Sequence, residues 1–167
     1  MVTRRFVLTR AVGGAAAAFA AFSWGDTVRA STAFAVHYTD LQWRARLSPA
    51  RYAVLRQSAT EPPVSSPLLQ ENRRGDYACA GCGLHLYSSA TKFHSGTGWP
   101  SFWAPLPHAV GTAEDSSLGM HRTAVYCASC GGHLGHVFPD GPPPTGLRYC
   151  MNGLALEFVP APASAHT

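Results

Sequence analysis

Charged residues are scarce in this chain of 167 residues, of which only 13% are Asp, Glu, Lys or Arg. The surplus of positive charge also lies at one end, because four of the 13 basic residues but only one of the nine acidic residues occur in positions 1–30. The remaining chain has nine basic and eight acidic residues and is nearly neutral. This balance offers no electrostatic attraction to a phosphate backbone, so we expect no nucleic-acid partner.

A long hydrophobic run is absent as well. The apolar stretch at positions 11–22 is rich in Ala and Gly, and it is shorter than the roughly 20 apolar residues that cross a bilayer. It follows the pattern Thr-Arg-Arg-Phe-Val-Leu at positions 3–8, so positions 1–30 are typical of a twin-arginine export signal. We expect cleavage near position 30 or 35 and a mature protein that is periplasmic or secreted, without a membrane anchor.

Repeats and low-complexity segments are missing from positions 39–160, apart from one duplicated cysteine motif. A hydrophobic fraction of 46%, with four Trp, six Tyr and eight Phe, can fill a core, so disorder is excluded. The length fits one domain. We expect that domain over positions 39–160, followed by a tail at positions 161–167, and we expect a monomer.

Four of the five cysteines form two C-x-x-C motifs, which pair Cys79 with Cys82 and Cys127 with Cys130. Turn residues inside each motif let both sulfurs point the same way, and two such motifs complete a tetrahedral Cys₄ zinc site. The alternative is disulfide bonding, which is usual for exported cysteines, but a bridge inside each motif would do little to stabilise a fold. The spacing predicts one structural Zn²⁺ per chain.

The fifth cysteine, Cys150, is the candidate nucleophile. Arg148 and Asn152 flank it, and His133 and His136 lie a short distance upstream. A cationic neighbour and an amide donor favour the thiolate, which is the nucleophilic form of cysteine. Imidazoles can donate protons to an oxygen leaving group. The alternative is an inert buried cysteine near two core histidines.

Two further residues extend this candidate site. Trp99 lies in the glycine-rich stretch 92–102, where glycines allow the backbone to place the indole in a site, although a packing role is the alternative. Asp140 precedes a glycine and is either a turn residue or a partner that orients an imidazole or the arginine. No role is assigned to the other histidines, which are His37, His85, His94, His108, His121 and His166.

Helical signals occur only near the start of the domain. A capping box that begins at Thr39 opens a helix to about Leu47. Ser48 caps a second helix, with proline at its first position, that ends near Ser58. Positions 64–74 have the composition of a loop.

From Tyr77 onward, short runs broken by Gly, Pro and Ser predict strands. The predicted strands cover positions 84–87, 120–126, 133–138, 147–151 and 154–159. The chain is therefore predicted to be mainly β, with a small antiparallel β core of two packed sheets. The N-terminal helices pack outside this core, and the Cys₄ zinc site clamps one corner of it.

The order of these motifs is the most specific feature of the sequence. Between Thr39 and about Phe158 the chain contains, in order, a Trp-Arg helix, Thr-Glu, a first C-x-x-C motif, Lys-Phe-His-Ser-Gly-Thr-Gly-Trp-Pro-Ser-Phe, a second C-x-x-C motif, His-Leu-Gly-His-Val-Phe-Pro-Asp-Gly-Pro and Arg-Tyr-Cys-Met-Asn. This ordered set resembles the B-type peptide-methionine sulfoxide reductases, which reduce the R epimer of methionine sulfoxide.

The resemblance implies a reaction and a role for each candidate residue. Cys150 would attack the sulfoxide sulfur and become a sulfenic acid, which releases methionine. His133 and His136 would bind or protonate the sulfoxide oxygen, and Trp99 would contact the methyl group and help to select the R epimer. The two C-x-x-C motifs match the branch of the family with structural zinc.

The resemblance also implies supporting roles, in which Arg148 stabilises the thiolate and Asn152 forms a hydrogen bond in the pocket. Two positions depart from the family pattern. Thr97 stands where many members carry a resolving cysteine, so we expect an external thiol, from a thioredoxin-like protein or a small reductant, to reduce the sulfenic acid. Gly153 stands where serine is usual, and we expect this change to loosen the site slightly.

The leading interpretation is thus an enzyme that repairs methionine sulfoxide in oxidised proteins. A zinc-stabilised β-fold binding module without catalysis is the alternative, but such a module has no need of Cys150 next to an arginine and two histidines. A cysteine hydrolase is a third possibility, and the sequence offers no evident oxyanion loop for it.

Overall fold

The computed structural model describes residues 34–162. The expected export signal at positions 1–30 lies outside the described residues, as do positions 163–167 of the expected tail. Within the described range, no helix combines the length and the apolar character that a membrane span requires. Export and cleavage therefore stay predictions.

Two short helices open the described chain, and both begin at the predicted caps. Helix α1 spans Asp40–Arg46 and helix α2 spans Pro49–Gln57. The Thr39 hydroxyl accepts a hydrogen bond from the Gln42 N–H, and the Gln42 side chain accepts one from the Thr39 N–H, which is the reciprocal pair of a capping box. The Ser48 hydroxyl caps α2.

Nine strands follow in the described part of the chain. They are β1 Gly75–Cys79, β2 His85–Ser88, β3 Lys92–Phe93, β4 Ser101–Phe102, β5 Val110–Asp115, β6 Arg122–Cys127, β7 His133–Phe138, β8 Arg148–Met151 and β9 Leu156–Pro160. The smaller sheet has the order β2-β1-β9 and the larger one the order β3-β4-β8-β7-β6-β5. Every neighbouring pair is antiparallel. The predicted mainly β fold with two antiparallel sheets is confirmed.

Aromatic side chains join the two sheets. Phe102 of the larger sheet stacks on Tyr87 of the smaller sheet, with ring centroids 4.4 Å apart, and meets Tyr77 edge to face at 4.9 Å. All three side chains are fully buried. Aromatic pairs of this kind contribute about 0.5–1.5 kcal/mol beyond the burial of their area. The core therefore lies between the sheets and holds the strands of the larger sheet in place.

Several strands were not predicted, and their positions explain why. β5 is an edge strand whose four central residues are exposed, so it lacks the apolar alternation that marks a half-buried strand. β3 and β4 have two residues each and show no period. The predicted start of the last strand at position 154 was wrong, because a 3₁₀ turn covers Gly153–Ala155.

Candidate active site and metal centre

The four cysteines of the two C-x-x-C motifs lie together at one corner of the fold. Their sulfur atoms are all within 4.8 Å of one another, with Sγ–Sγ distances of 3.7 Å between Cys79 and Cys130 and 3.5 Å between Cys82 and Cys127. A disulfide bond is about 2.05 Å long, so these residues are not disulfide-bonded. A tetrahedron with Zn–S bonds of about 2.3 Å has S–S edges of about 3.8 Å. The cluster therefore fits a tetrahedral metal ion.

Each motif closes with the same backbone turn. The Gly83 N–H donates to the Cys79 carbonyl at 2.8 Å, and the Gly131 N–H donates to the Cys127 carbonyl at 2.9 Å. The two glycines have φ angles of 79° and 67°, a conformation that side chains with a Cβ rarely adopt. The duplication in the sequence thus corresponds to a duplicated turn.

The two helices cover this corner. A Cβ at Gly81, inside the first motif, would lie 3.5 Å from the side chains of Trp43 and Leu55. Both side chains are buried. The Arg56 guanidinium donates a hydrogen bond to the Cys130 carbonyl at 3.1 Å. The helices therefore pack on the cysteine cluster, outside the β core as predicted.

Cys150 lies within the larger sheet. It is on β8, where it pairs with Ser101 of β4 on one side and with His136 of β7 on the other. Its side chain borders a pocket of about 130 Å³. The pocket is lined by Thr60, Trp99, Arg122, Gly135, His136, Phe138, Cys150 and Asn152. The structure thus brings four of the predicted site residues to one small pocket.

Glycine at position 135 allows the close approach of β7 to β8 beside this pocket. A Cβ on Gly135 would lie 2.2 Å from the Cys150 carbonyl oxygen, so any larger residue would push the two strands apart. The glycine between His133 and His136 therefore keeps the histidine strand against the cysteine strand.

A carboxylate that sequence analysis did not identify holds His136. Hydrogen bonds from Ser117 and His136 keep the pKa of Asp115 well below its usual range. The ionised carboxylate oxygen Oδ2 lies 2.7 Å from His136 Nε2 and 2.8 Å from an Arg122 nitrogen. Because a carboxylate only accepts hydrogen bonds, Nε2 carries a proton and Nδ1 is the acceptor in the neutral ring. Asp115 therefore fixes the tautomer and orientation of His136.

His133 lies next to His136 and is not part of the pocket lining. It is 3% exposed, and its ring centroid is 5.3 Å from that of His136. Within residues 34–162, neither of its ring nitrogens has a hydrogen-bond partner. Burial, followed by repulsion from His136, lowers the pKa of His133 to about 4. The ring is therefore neutral at pH 7 and has both nitrogens available to a polar group or water.

Trp99 forms one wall of the pocket. Its indole Nε1 donates to the Glu61 carbonyl at 3.1 Å, which fixes the ring. The preceding residue, Gly98, has a φ of 95° and approaches Pro63 so closely that a Cβ would lie 2.8 Å from the proline side chain. The glycine next to the tryptophan is thus required by backbone conformation and by space.

Glu61 connects several walls of the pocket, a role that sequence analysis did not assign. Its carboxylate is buried and accepts hydrogen bonds from the backbone N–H groups of Gly153 and Leu154. Burial raises the pKa of Glu61, and these two donors oppose the rise. The Glu61 N–H donates to Asn152 Oδ1 at 3.0 Å. Together with the carbonyl contact to Trp99, this residue ties the tryptophan to the end of β8.

Both polar atoms of the Asn152 side-chain amide form hydrogen bonds within the protein. Its Oδ1 accepts from Glu61, and its Nδ2 donates to the Leu134 carbonyl at 3.1 Å. The side chain is only 3% exposed. Asn152 therefore lines the pocket mainly as a wall that joins β7 to the Glu61 loop.

Arg148 and Asp140 form a bidentate ion pair near Cys150. Arg148 Nε and Nη2 donate to the two Asp140 oxygens at 2.9 and 2.8 Å. The guanidinium also stacks over Phe138, 4.4 Å from the ring centroid. The hydrogen bond to Asp140 raises the pKa of Arg148, and negative charge on Cys150 adds to the rise. Of the roles considered for Asp140, the structure thus shows that it orients the arginine and not an imidazole.

Gly153, one of the two departures from the family pattern, is closely packed. A Cβ at this position would lie 1.9 Å from Ser66 Oγ. The Ser66 hydroxyl in turn accepts the Leu68 N–H at 3.2 Å. The Ser66 side chain therefore fills the space next to position 153, and the expected loosening of the site stays a prediction.

Fold and site together define a β protein with a corner of four cysteines that could hold a metal ion, the metal corner, and a separate pocket around a single cysteine. Residues 47–160 match the family model of the SelR domain. The chain is 58% identical over 120 residues to the peptide methionine sulfoxide reductase MsrB of Bradyrhizobium diazoefficiens, an alignment that covers 71% of this chain and 86% of that protein. For the protein of the same name in Leifsonia xyli, identity is 56% over 124 residues, covering 73% and 89%.

A third relative with this name, from Agrobacterium fabrum, is 52% identical over 126 residues, which cover 75% of this chain and 93% of the relative. The chain belongs to the SelR family of MsrB-type peptide methionine sulfoxide reductases. The resemblance inferred from the order of its motifs is confirmed.

Proposed function

We propose that this protein reduces methionine-R-sulfoxide in oxidised proteins to methionine, with Cys150 as the nucleophile. The observation that carries the proposal is the pocket in which Cys150, His136 and Trp99 meet, in a chain that belongs to the MsrB family. A pocket of about 130 Å³ suits the end of one side chain and not a larger group. The binding-module alternative gives no reason for this arrangement.

In the proposed reaction, the Cys150 thiolate attacks the sulfoxide sulfur and the S–O bond of the substrate breaks. The oxygen takes up one proton and passes to the Cys150 sulfur while the S–S bond formed by the attack breaks, so that methionine leaves and Cys150 becomes a sulfenic acid. The substrate sulfur gains two electrons and the Cys150 sulfur loses two. His136 supplies the proton from Nδ1 when its ring is doubly protonated, because Nε2 is bound to Asp115. His133, which does not line the pocket, acts on the oxygen through a water molecule, and Trp99 contacts the methyl group.

An external thiol restores the enzyme. The chain has five cysteines, and four of them lie in the metal cluster. Cys150 therefore has no partner for an intramolecular disulfide. A first thiol condenses with the sulfenic acid to a mixed disulfide and releases water, and a second thiol then displaces Cys150 as thiolate. The reductant is a thioredoxin-like protein or a small thiol.

The metal in the cysteine cluster is proposed to be Zn²⁺, one per chain. Four thiolates at tetrahedral spacing are the ligand set that zinc prefers in structural sites. Zinc here would supply folding free energy and no catalytic step. We also propose that the twin-arginine segment at positions 1–30 directs a folded, monomeric protein to the periplasm or the exterior.

Single turnover tests the catalytic proposal. Purified protein without added reductant is mixed with peptides that contain the R or the S epimer of methionine sulfoxide, and methionine is counted per chain. We expect one methionine per chain from the R epimer alone, with a sulfenic acid on Cys150 that a selective reagent traps.

The control is Cys150→Ser, which should give no methionine while its metal content and thermal unfolding stay unchanged. Product from this variant would refute the nucleophile assignment. The absence of product from wild-type protein that holds its metal would refute the reductase proposal itself.

A further inference from the structure

A chain of hydroxyl groups leads away from the Cys150 sulfur into the protein. Thr97 Oγ1 lies 3.6 Å from Cys150 Sγ, and Ser95 Oγ lies 2.8 Å from Thr97 Oγ1. Ser95 Oγ is also 2.8 Å from Ser101 Oγ, which is 3.1 Å from the Trp99 carbonyl. The sulfur is thus in contact with a network and not with a single hydroxyl.

The last acceptor fixes the direction of every hydrogen bond in this network. A carbonyl oxygen cannot donate, so Ser101 must use its one hydroxyl proton toward Trp99. In the hydrogen bond between Ser95 and Ser101, the Ser95 hydroxyl is therefore the donor. In the same way, the Thr97 hydroxyl is the donor in its hydrogen bond with Ser95.

One consequence concerns the thiol form of Cys150. With its own proton directed to Ser95, Thr97 can only accept from Cys150, so the S–H donates to Thr97 Oγ1. When the thiol loses its proton, this contact has no donor. The Thr97 hydroxyl must then rotate from Ser95 toward the sulfur in order to stabilise the thiolate.

The surroundings permit that rotation. The Thr97 N–H points to Ser95 Oγ at 3.4 Å, so Ser95 keeps a donor after the hydroxyl has turned away. Ser101 is fully buried, and its bond to the Trp99 carbonyl is unaffected by the change. Only one hydrogen bond is exchanged.

We propose that Thr97 is a catalytic residue that accepts a hydrogen bond from the Cys150 thiol and donates one to the thiolate, and that Ser95 opposes the donating state by holding the same proton. The inference deepens the proposed reductase function and depends on it for its role in turnover. It predicts that removing the Thr97 hydroxyl and removing the Ser95 hydroxyl have opposite effects on Cys150.

Alkylation of Cys150 by iodoacetamide at fixed pH measures this directly, because the thiolate is the reacting form. The experiment uses metal-loaded protein, and the modified residue is identified by mass spectrometry. A hydrogen bond to a charged group is worth more than one between neutral groups, so Thr97→Val should react about tenfold more slowly than wild type. Ser95→Ala frees the Thr97 proton and should react about fivefold faster.

Thr97→Ser is the conservative variant, because it keeps the hydroxyl and should recover most of the rate that Thr97→Val loses. If Thr97→Val fails to fold, the comparison of Thr97→Ser with Ser95→Ala still tests the direction of the network. An unchanged rate in a folded Thr97→Val variant, or a slower rate in Ser95→Ala, would overturn the proposal.

Alkylation needs no sulfoxide, so the test is independent of the reductase proposal. Opposite effects on alkylation, combined with no methionine formed by wild-type protein, would support the hydroxyl network and refute the reductase function. If both proposals hold, single-turnover rates of methionine formation should follow the same order as the alkylation rates.

Discussion

The metal corner and the Cys150 pocket of this protein are built in different ways. Each half of the metal corner is a local turn, in which a C-x-x-C motif and the following glycine supply sulfurs, backbone conformation and closing hydrogen bond. The pocket takes its residues from several distant segments between Thr60 and Asn152. Its key side chains are held by partners such as Glu61 and Asp115, which are 91 and 21 residues away from Asn152 and His136.

The difference shows where spacing in a sequence is informative. A local motif specifies its own geometry, so the grouping of the four cysteines in the metal corner could be predicted from the sequence. A pocket assembled from loops reveals the reactive groups, but the residues that orient them depend on the fold. Perturbing each region should therefore give a different result, with loss of the fold at the corner and graded effects in the pocket.

The largest effect is expected from Cys82→Ser at the metal corner. Three thiolates and a hydroxyl hold zinc poorly, and the free energy of metal binding is also free energy of folding. The variant should lose the proposed zinc ion and at least about 5 kcal/mol of stability. Metal analysis and thermal unfolding measure both quantities. Ala128→Ser, at an exposed position inside the second motif, is the control and should change neither.

A stable Cys82→Ser variant without metal would contradict the structural role of the site and the expected difference between the two regions. A variant that keeps one zinc per chain would show that three cysteines suffice.

A smaller effect is expected from pH, through His133 in the pocket region. Burial lowers the pKa of His133 to about 4, from an ordinary value of 6.5. Between these values the unfolded chain binds more protons than the folded protein, so stability falls as pH falls. Above about pH 6.5 the titration of His133 costs no stability, and by pH 4 it has lowered the free energy of unfolding by about 3 kcal/mol.

The measurement is urea unfolding at pH 7 and pH 4 for wild type and for His133→Gln. The variant should lose less stability than wild type over this interval, by roughly the same 3 kcal/mol. His121→Gln, at an exposed histidine, is the matched control and should behave as wild type does. Parallel pH curves for wild type and His133→Gln would contradict the buried, neutral state of His133.

The smallest effect is expected at Gly153, which follows the pocket residue Asn152. Gly153→Ser forces a Cβ against Ser66, and such overpacking costs about 1 kcal/mol or somewhat more. Ser66→Gly in the same chain should recover much of this loss, because it reopens the space. A double-mutant cycle from chemical unfolding gives the coupling between the two positions. Additive changes in the free energy of unfolding would show that side chains at positions 66 and 153 do not compete for the same space.

Much of the fold could be predicted because local signals agreed with it. The caps at Thr39 and Ser48 both begin helices, and positions 133–138 form a strand with the predicted bounds. The unpredicted strand Val110–Asp115 is polar and lies at a sheet edge. Its pairing with β6 depends on the rest of the sheet and leaves no apolar pattern in the sequence.

The site could be predicted in part for the same reason. Cys150 and His136 stand in motifs whose chemistry is visible in the residue types, and both reach the pocket. Glu61 and Asp115 resemble ordinary surface carboxylates in the sequence, because nothing in their neighbours shows that one is buried and the other bound to a histidine. Their roles follow only from contacts across the fold.

The metal corner also has a mechanical consequence. Cys79 ends a strand of the smaller sheet and Cys127 ends a strand of the larger sheet, so an ion held by all four sulfurs is a cross-link between the sheets. Separation of the sheets under force or during thermal opening would have to break metal–thiolate bonds first. A bound ion would therefore slow the separation of the two sheets, and with it the loss of the Cys150 pocket.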